Sequence, residues 1–370
     1  MGLRDGSHTE PDRGACDDHL MSDDAPHRKR IGFLSFGHWS RGQGSQTQTG
    51  ADALRQSVEL AVAAEEIGID GAFFRVHHFA RQLASPFPLL AAIGTATSRI
   101  EIGTGVIDMR YENPLYMAED AAAADLLGGE RLQLGISRGS PEPALHGSEA
   151  FGYVPGEGET DADVARQHTQ LFRAAISGAP LVQADANMAG GIGRLAIQPL
   201  SATLPERIWW GAGTRKTGVW TAEQGMNLMS STLLTEDTGV PFDQLQAEQI
   251  ELYLDAWREA GWERRPRISV SRSVMPIVSD IDNAYFGREA GGGDTVGYLD
   301  GGLARFGKTY AGEPDRIAAE LADDAAVALA DTILLTVPNQ LGVDYNADLL
   351  RNVAEHVAPA IGWSPATSDV

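Results

Sequence analysis

The chain has 370 residues, 43% of them hydrophobic, enough for one large domain or two ordinary ones with a sizeable core. Aspartate and glutamate number 51 against 29 lysines and arginines, a net charge of −22, which argues against nucleic acid or an anionic membrane as the main partner. The single cysteine, Cys16, excludes an internal disulfide and a cysteine-built metal site. No apolar run is long enough to span a bilayer and the N-terminus lacks a signal-peptide core, so a cytoplasmic protein is expected.

Residues 1–28 are rich in Asp, His, Gly, Pro and Arg and show no periodicity; they are expected to form a disordered extension ahead of a domain spanning 29–366. His8, His19 and His27 are scattered in it and are assigned no role. From residue 31 short apolar runs alternate with amphipathic stretches. The predicted order is a strand over Ile31–Phe36, a helix over Ala53–Ile67 closed by Gly68, a strand over Gly71–Val76, and a helix over Pro86–Ser98. Then follow a strand over Ile100–Val106, a helix over Pro114–Leu127, a strand over Arg131–Ser137, and a helix over Thr160–Ser177. A Gly/Pro/Ala-rich stretch, 178–205, interrupts the rhythm. It resumes with a strand over Arg207–Ala212, a helix over Thr214–Gln224, a strand over Asn227–Ser231, and an insertion, 232–266, carrying a helix over Asp243–Ala260. A strand over Arg267–Val278, a glycine-rich segment (Gly291-Gly292-Gly293), a helix over Pro314–Leu329, a strand over Asp331–Thr336 and a helix over Asn346–Ile361 complete the chain. Eight strands alternating with helices predict an α/β fold, a (β/α)8 TIM barrel with insertions after the fourth helix and the sixth strand. A doubly wound open sheet is the alternative, but the G-x-G after the first strand lacks the helix start and acidic partner of a dinucleotide loop.

In such a barrel the strand ends share one mouth. They bring together Gly37 and His38, His77 and His78, Thr104 to Asp108, Ser137 and Arg138, Gly211 to Thr214, and Arg272 to Met275, a set that suits a cofactor cradle better than a metal site. Gly211-Ala212-Gly213-Thr214-Arg215-Lys216-Thr217 is a strand–turn–helix start, where outward N–H groups and the helix dipole favour an anion; Thr214 and Thr217 add hydroxyls and Arg138 a charge. An ordinary N-cap by Thr214 explains the same residues equally well. His38, His78 and Asp108 are expected to line the substrate side. Of Trp209 and Trp210, one should face the barrel interior and one the helices.

Four stretches, taken jointly, resemble the bacterial luciferase-like flavin-dependent monooxygenases. They are Ala64-Glu65-Glu66-Ile67-Gly68-Ile69-Asp70 with His77-His78-Phe79; Ile102-Gly103-Thr104-Gly105 through Asn113-Pro114; Gly129 through Gly139; and Tyr310-Ala311-Gly312-Glu313-Pro314-Asp315 with Ala358-Pro359. The resemblance implies a barrel that takes FMN, reduced by a separate flavin reductase. It also implies oxygenation of a small organic substrate by O2 through a C4a-(hydro)peroxyflavin, and association as a homodimer. Carried over by position, His77 matches the catalytic histidine. Ser137, Arg138, Gly213, Thr214 and Thr217 fall at cofactor-binding positions, and Thr104-Gly105 falls where the family has a non-prolyl cis peptide under the flavin ring. Two departures stand out: Val76 replaces a frequent glutamate, and Ser137 replaces the reactive cysteine of luciferases proper, so light emission is not implied. Some relatives use the deazaflavin F420 for hydride transfer; its acidic tail wants a basic groove, and Arg215-Lys216 is the only clear basic run near the mouth.

Overall fold

A computed structural model describes residues 28–139, 144–188, 193–236, 238–299 and 302–365. The expected extension, with Cys16, His8, His19 and His27, lies outside the described residues, apart from Arg28. That residue is tied to the domain through an ion pair with Asp70 at 2.7 Å.

Eight parallel strands close into a barrel: β1 (Arg30–Ser35), β2 (Gly71–Phe74), β3 (Glu101–Asp108), β4 (Leu132–Ser137), β5 (Ile208–Ala212), β6 (Asn227–Ser230), β7 (Ile268–Pro276) and β8 (Thr332–Val337). Each pairs with the next, β8 pairs with β1, and β6 pairs with β7. The (β/α)8 expectation holds, and the helices begin where local chemistry dictates. In α1 (Gly50–Ile67) Thr49 and Asp52 form a reciprocal capping box and Gly68 closes the end at φ 98°. Proline opens α2 (Pro86–Ala96) and α3 (Pro114–Leu127), where a missing N–H costs nothing. A second capping box, Thr160 with Asp163, starts α4 (Asp161–Ile176).

The alternation of side chains divides the core in two. Leu34, Phe73, Trp209, Met229 and Leu334 fill the barrel interior. The larger layer between sheet and helices includes Trp210, which meets Trp220 edge-on at 4.7 Å. The two tryptophans therefore face opposite ways, as expected. The N-terminal end of the barrel is plugged by Glu101, which accepts from Arg267 at 2.8 and 3.0 Å and from Arg30 at 2.9 Å. Beside it, Gln133 accepts from the Trp209 indole at 2.8 Å. The opposite end is left for chemistry.

Several boundaries differ from the sequence reading. The helix of the expected 232–266 insertion, α6 (Phe242–Glu259), packs against α5 (Arg215–Glu223) and serves as the barrel's own sixth helix. An excursion follows β7 instead: Thr295–Leu299 and Gly302–Phe306 pair antiparallel and add to Leu233–Leu234. The predicted helix Pro314–Leu329 is two, α7 (Pro314–Ala322) and Ala325–Leu329, because Asp324 caps a new start through the Val327 N–H. The last helix, α8, runs Gly342–His356, and the chain continues as a 3-10 turn at Ala358–Ile361, where Pro359 cannot extend it. Alanines 61, 64, 121, 122 and 124, on α1 and α3, are buried within the chain.

Candidate active site

At the C-terminal end of the barrel lies a cleft of about 1200 Å3, counting its open mouth. Every strand except β8 supplies part of its lining, by its last residues or the loop that follows, or for β7 by Ser271 within the strand. His77, Gly105, Asp108, Ser137, Arg138, Gly213, Thr214 and Thr217, all expected at the site, line it together. Among the described residues no three His, Cys, Asp or Glu side chains are grouped to hold an ion.

His77 lies three residues past the end of β2 and its backbone N–H donates to the Leu83 carbonyl at 2.9 Å, which fixes the loop. Its ring makes no hydrogen bond within the described residues and faces the cleft. Burial holds the imidazole below its ordinary range, and positive Arg75 pushes the same way against the opposing charge of Asp108. At neutral pH it is an uncharged base without a fixed orienting partner, consistent with Val76 standing where a carboxylate would.

The side of the cleft expected to take an anion is built by β5 and α5. Thr214 caps α5, its hydroxyl accepting from the Thr217 N–H at 3.1 Å and meeting the Thr217 hydroxyl at 2.8 Å. The N-cap is therefore formed, and the same two hydroxyl-bearing residues line the cleft. Arg138 sits across the mouth, exposed, with no ion pair among the described residues. Arg215 does not serve: it is held by Glu236 at 3.2 Å and Glu248 at 2.7 Å, which removes half of the basic run that a polyanionic tail would need. The floor is glycine. A Cβ on Gly105 would come within 2.9 Å of the Leu34 side chain, and one on Gly211 within 3.2 Å of Val106. The cis peptide lies between Gly105 and Val106, one bond later than Thr104-Gly105.

Four expected residues are placed elsewhere. Thr104 is fully buried and donates its hydroxyl to the Gly135 carbonyl at 2.7 Å, tying β3 to β4 beneath the cleft. His38 is anchored through its backbone to Asn339 (3.1 and 2.7 Å) and its ring stacks on Phe36, behind the lining. His78 turns away into an aromatic cluster, stacked on Tyr111 at 4.3 Å and edge-on to Phe151 at 5.2 Å. Its Nε2 is buried without a hydrogen bond, 4.0 Å from Glu112, whose carboxyl is pushed up to about 7 by burial and by Asp108 and Asp120. Arg272 leaves the mouth altogether for a buried pair with Asp324 at 2.8 Å. Asp108 does line the cleft, but its carboxylate is committed to Arg110, which approaches to 2.6 Å.

One charged lining residue escaped the sequence reading: Arg75. Phe73 points into the barrel, so the two-residue alternation puts 75 and 77 on the same side, a signal that was available. The loop after β6, Ser231 to Leu233 and Thr235, closes another wall that no motif announced.

Comparison with known proteins agrees with this geometry. Residues 31–286 match the luciferase-like monooxygenase family. The oxygenase component of a flavin-dependent trigonelline monooxygenase from Acinetobacter baylyi is 29% identical over 110 residues, 29% of this chain and 30% of that protein. An F420-dependent glucose-6-phosphate dehydrogenase from Mycolicibacterium gilvum is 37% identical over 93 residues, 24% of this chain and 28% of that one. The chain thus matches these curated relatives over less than a third of their length. The oxygenating constituent of 3,6-diketocamphane monooxygenase from Pseudomonas putida, solved with FMN, superposes with a TM-score of 0.66 at 14% identity, covering 90% of this chain and 98% of that one. With a family match over more than two thirds of its length and the barrel to go with it, the chain belongs to the luciferase-like monooxygenases.

Proposed function

We propose that the protein is the oxygenase component of a two-component system that takes reduced FMN from a separate reductase and uses O2 to oxygenate a small organic substrate. The observation that carries this reading is the convergence, on one cleft, of a neutral imidazole, a hydroxyl-and-arginine anion cradle and a glycine floor between them. The residues fit a flavin mononucleotide. Thr214, Thr217 and Arg138 would take its phosphate at the α5 N-terminus, and Gly105 and Gly211 leave room for a flat ring. FMN bound there supplies the oxygen chemistry of its C4a position. His77, kept uncharged, would accept or hold a proton at that centre. The FMN-bound neighbour and the flavin-dependent relative support this choice, and the engagement of Arg215 by Glu236 and Glu248 weighs against the longer acidic tail of F420.

The test is a titration of purified protein with FMN and with F420, followed by anaerobic reduction and exposure to O2. Saturable FMN binding and O2-dependent reoxidation coupled to product are expected. Clear preference for F420 rejects the reading in favour of hydride transfer, and flavin binding without turnover rejects it in favour of a non-catalytic subunit.

A further inference from the structure

Arg75 projects into the cleft from the end of β2, with one face of its guanidinium 5.0 Å from the centre of the Phe36 ring. Among the described residues its side chain has neither an ion pair nor a hydrogen bond. The nearest carboxylate in the cleft, Asp108, is taken by Arg110 through both oxygens (3.0 and 2.6 Å). The two imidazoles beside it, His77 and His38, can be only neutral or cationic and bring no counter-charge; burial and Arg75 itself favour the neutral form. A half-buried cation costs free energy unless something pairs with it, and a cleft-facing fork of N–H donors is suited to a planar anion.

The flavin phosphate does not meet this need. Its partners are already supplied by Thr214 and Thr217, three strands around the barrel from Arg75, and by Arg138 after β4, two strands away. The wall around Arg75 is also unlike the cradle. Leu34, Phe36, Val76 and Val106 are apolar, with no hydroxyl or helix start among them.

We propose that Arg75 is the specificity residue of the site and that the substrate is an organic acid, its carboxylate held by Arg75 and its apolar body by the surrounding wall. This rests on the flavin reading above, which gives the far side of the cleft to the cofactor. A negative charge on the reduced flavin ring is the one other anion that the same guanidinium could answer.

Calorimetric titration of the FMN-loaded protein with benzoate and octanoate, each against its uncharged amide, tests the assignment. At least one acid should bind about tenfold or more tightly than its amide. Arg75→Met and Arg75→Gln should bring that ratio to about one, and Arg75→Lys should retain part of it, because charge survives and the fork does not. Dissociation constants for oxidised and reduced FMN, read by flavin absorbance and fluorescence, should not change. Equal binding of acids and amides by the unaltered protein overturns the proposal, even if no variant folds. Survival of the preference in Arg75→Met also overturns it, as does a selective loss of reduced-FMN binding, which would assign the charge to the cofactor. Failure of FMN to bind at all would sink the flavin reading, while the acid-to-amide ratio of the free protein would still decide the role of Arg75.

Discussion

At the scale of single residues, His77 and Glu112 illustrate how burial sets protonation. His77 is held below its ordinary range, so it stays an uncharged base through neutral pH. The pH profile of kcat/KM should therefore hold its plateau down through pH 6.5 and fall only below it. His77→Ala should lower turnover about 100-fold or more while leaving FMN affinity unchanged. Steady-state rates beside a flavin titration check this, and undiminished turnover would remove His77 from the chemistry. Glu112 is shifted the other way, to about 7, among His78, Tyr153, Asp108 and Asp120. The folded protein then binds a proton that the unfolded chain has released, so stability falls as pH rises from about 4.5 to about 7 and levels off above. Glu112→Gln should flatten that part of the profile and stabilise the protein at pH 8 by up to about 3 kcal/mol. Thermal melts between pH 5 and 8 measure it; parallel profiles for both proteins would contradict the shift.

At the scale of elements, α5 shows one side chain serving fold and site together. The Thr214 hydroxyl caps the helix, and the N-terminus it organises is the anion end of the cleft. Thr214→Ala should cost about 1 kcal/mol of stability and weaken FMN binding. Thr217→Val should spare the cap, because its backbone N–H remains, and weaken FMN alone. Melting temperatures and FMN dissociation constants of the pair separate the two effects. The elements themselves were largely legible beforehand. Capping boxes at Thr49 and Thr160, prolines at Pro86 and Pro114 and the stop at Gly68 are local signals, and local hydrogen bonds answer them. The break at Asp323 and Asp324 was missed because the apolar periodicity runs on through it. Its cause is a cap whose carboxylate is fixed by Arg272, far away in sequence.

On the scale of the whole molecule, the charge balance is reversed locally. A chain of net charge −22 places Arg75 and Arg138 in this cleft and pairs Arg110, Arg215 and Arg272 nearby with carboxylates. Arg272 shows the structural use of the same residue. Its side chain is 2% exposed and bonded to Asp324 and Gln246, and Tyr310 donates to the same aspartate at 2.5 Å, so β7, α6 and the Ala325–Leu329 helix are joined at one point. Asp324→Ala would leave Arg272 buried without its counter-charge and should destabilise the fold by about 3–5 kcal/mol. A loss under about 1 kcal/mol in chemical denaturation would mean that water or Gln246 replaces the pair.

The sequence by itself determined the barrel, the end of it that carries chemistry, and the placing of His77, Thr214 and Thr217 there. Period, glycine turns and caps are short-range properties that each segment expresses on its own. Which polar groups remain free was decided only in three dimensions. His78 is one residue from His77 yet stacks on Tyr111; Arg215 stands beside Thr214 yet is consumed by Glu236 and Glu248; Arg75, unremarkable in the sequence, is left to face the cleft. Whether a charge is spent or available depends on the partners that distant segments bring to it.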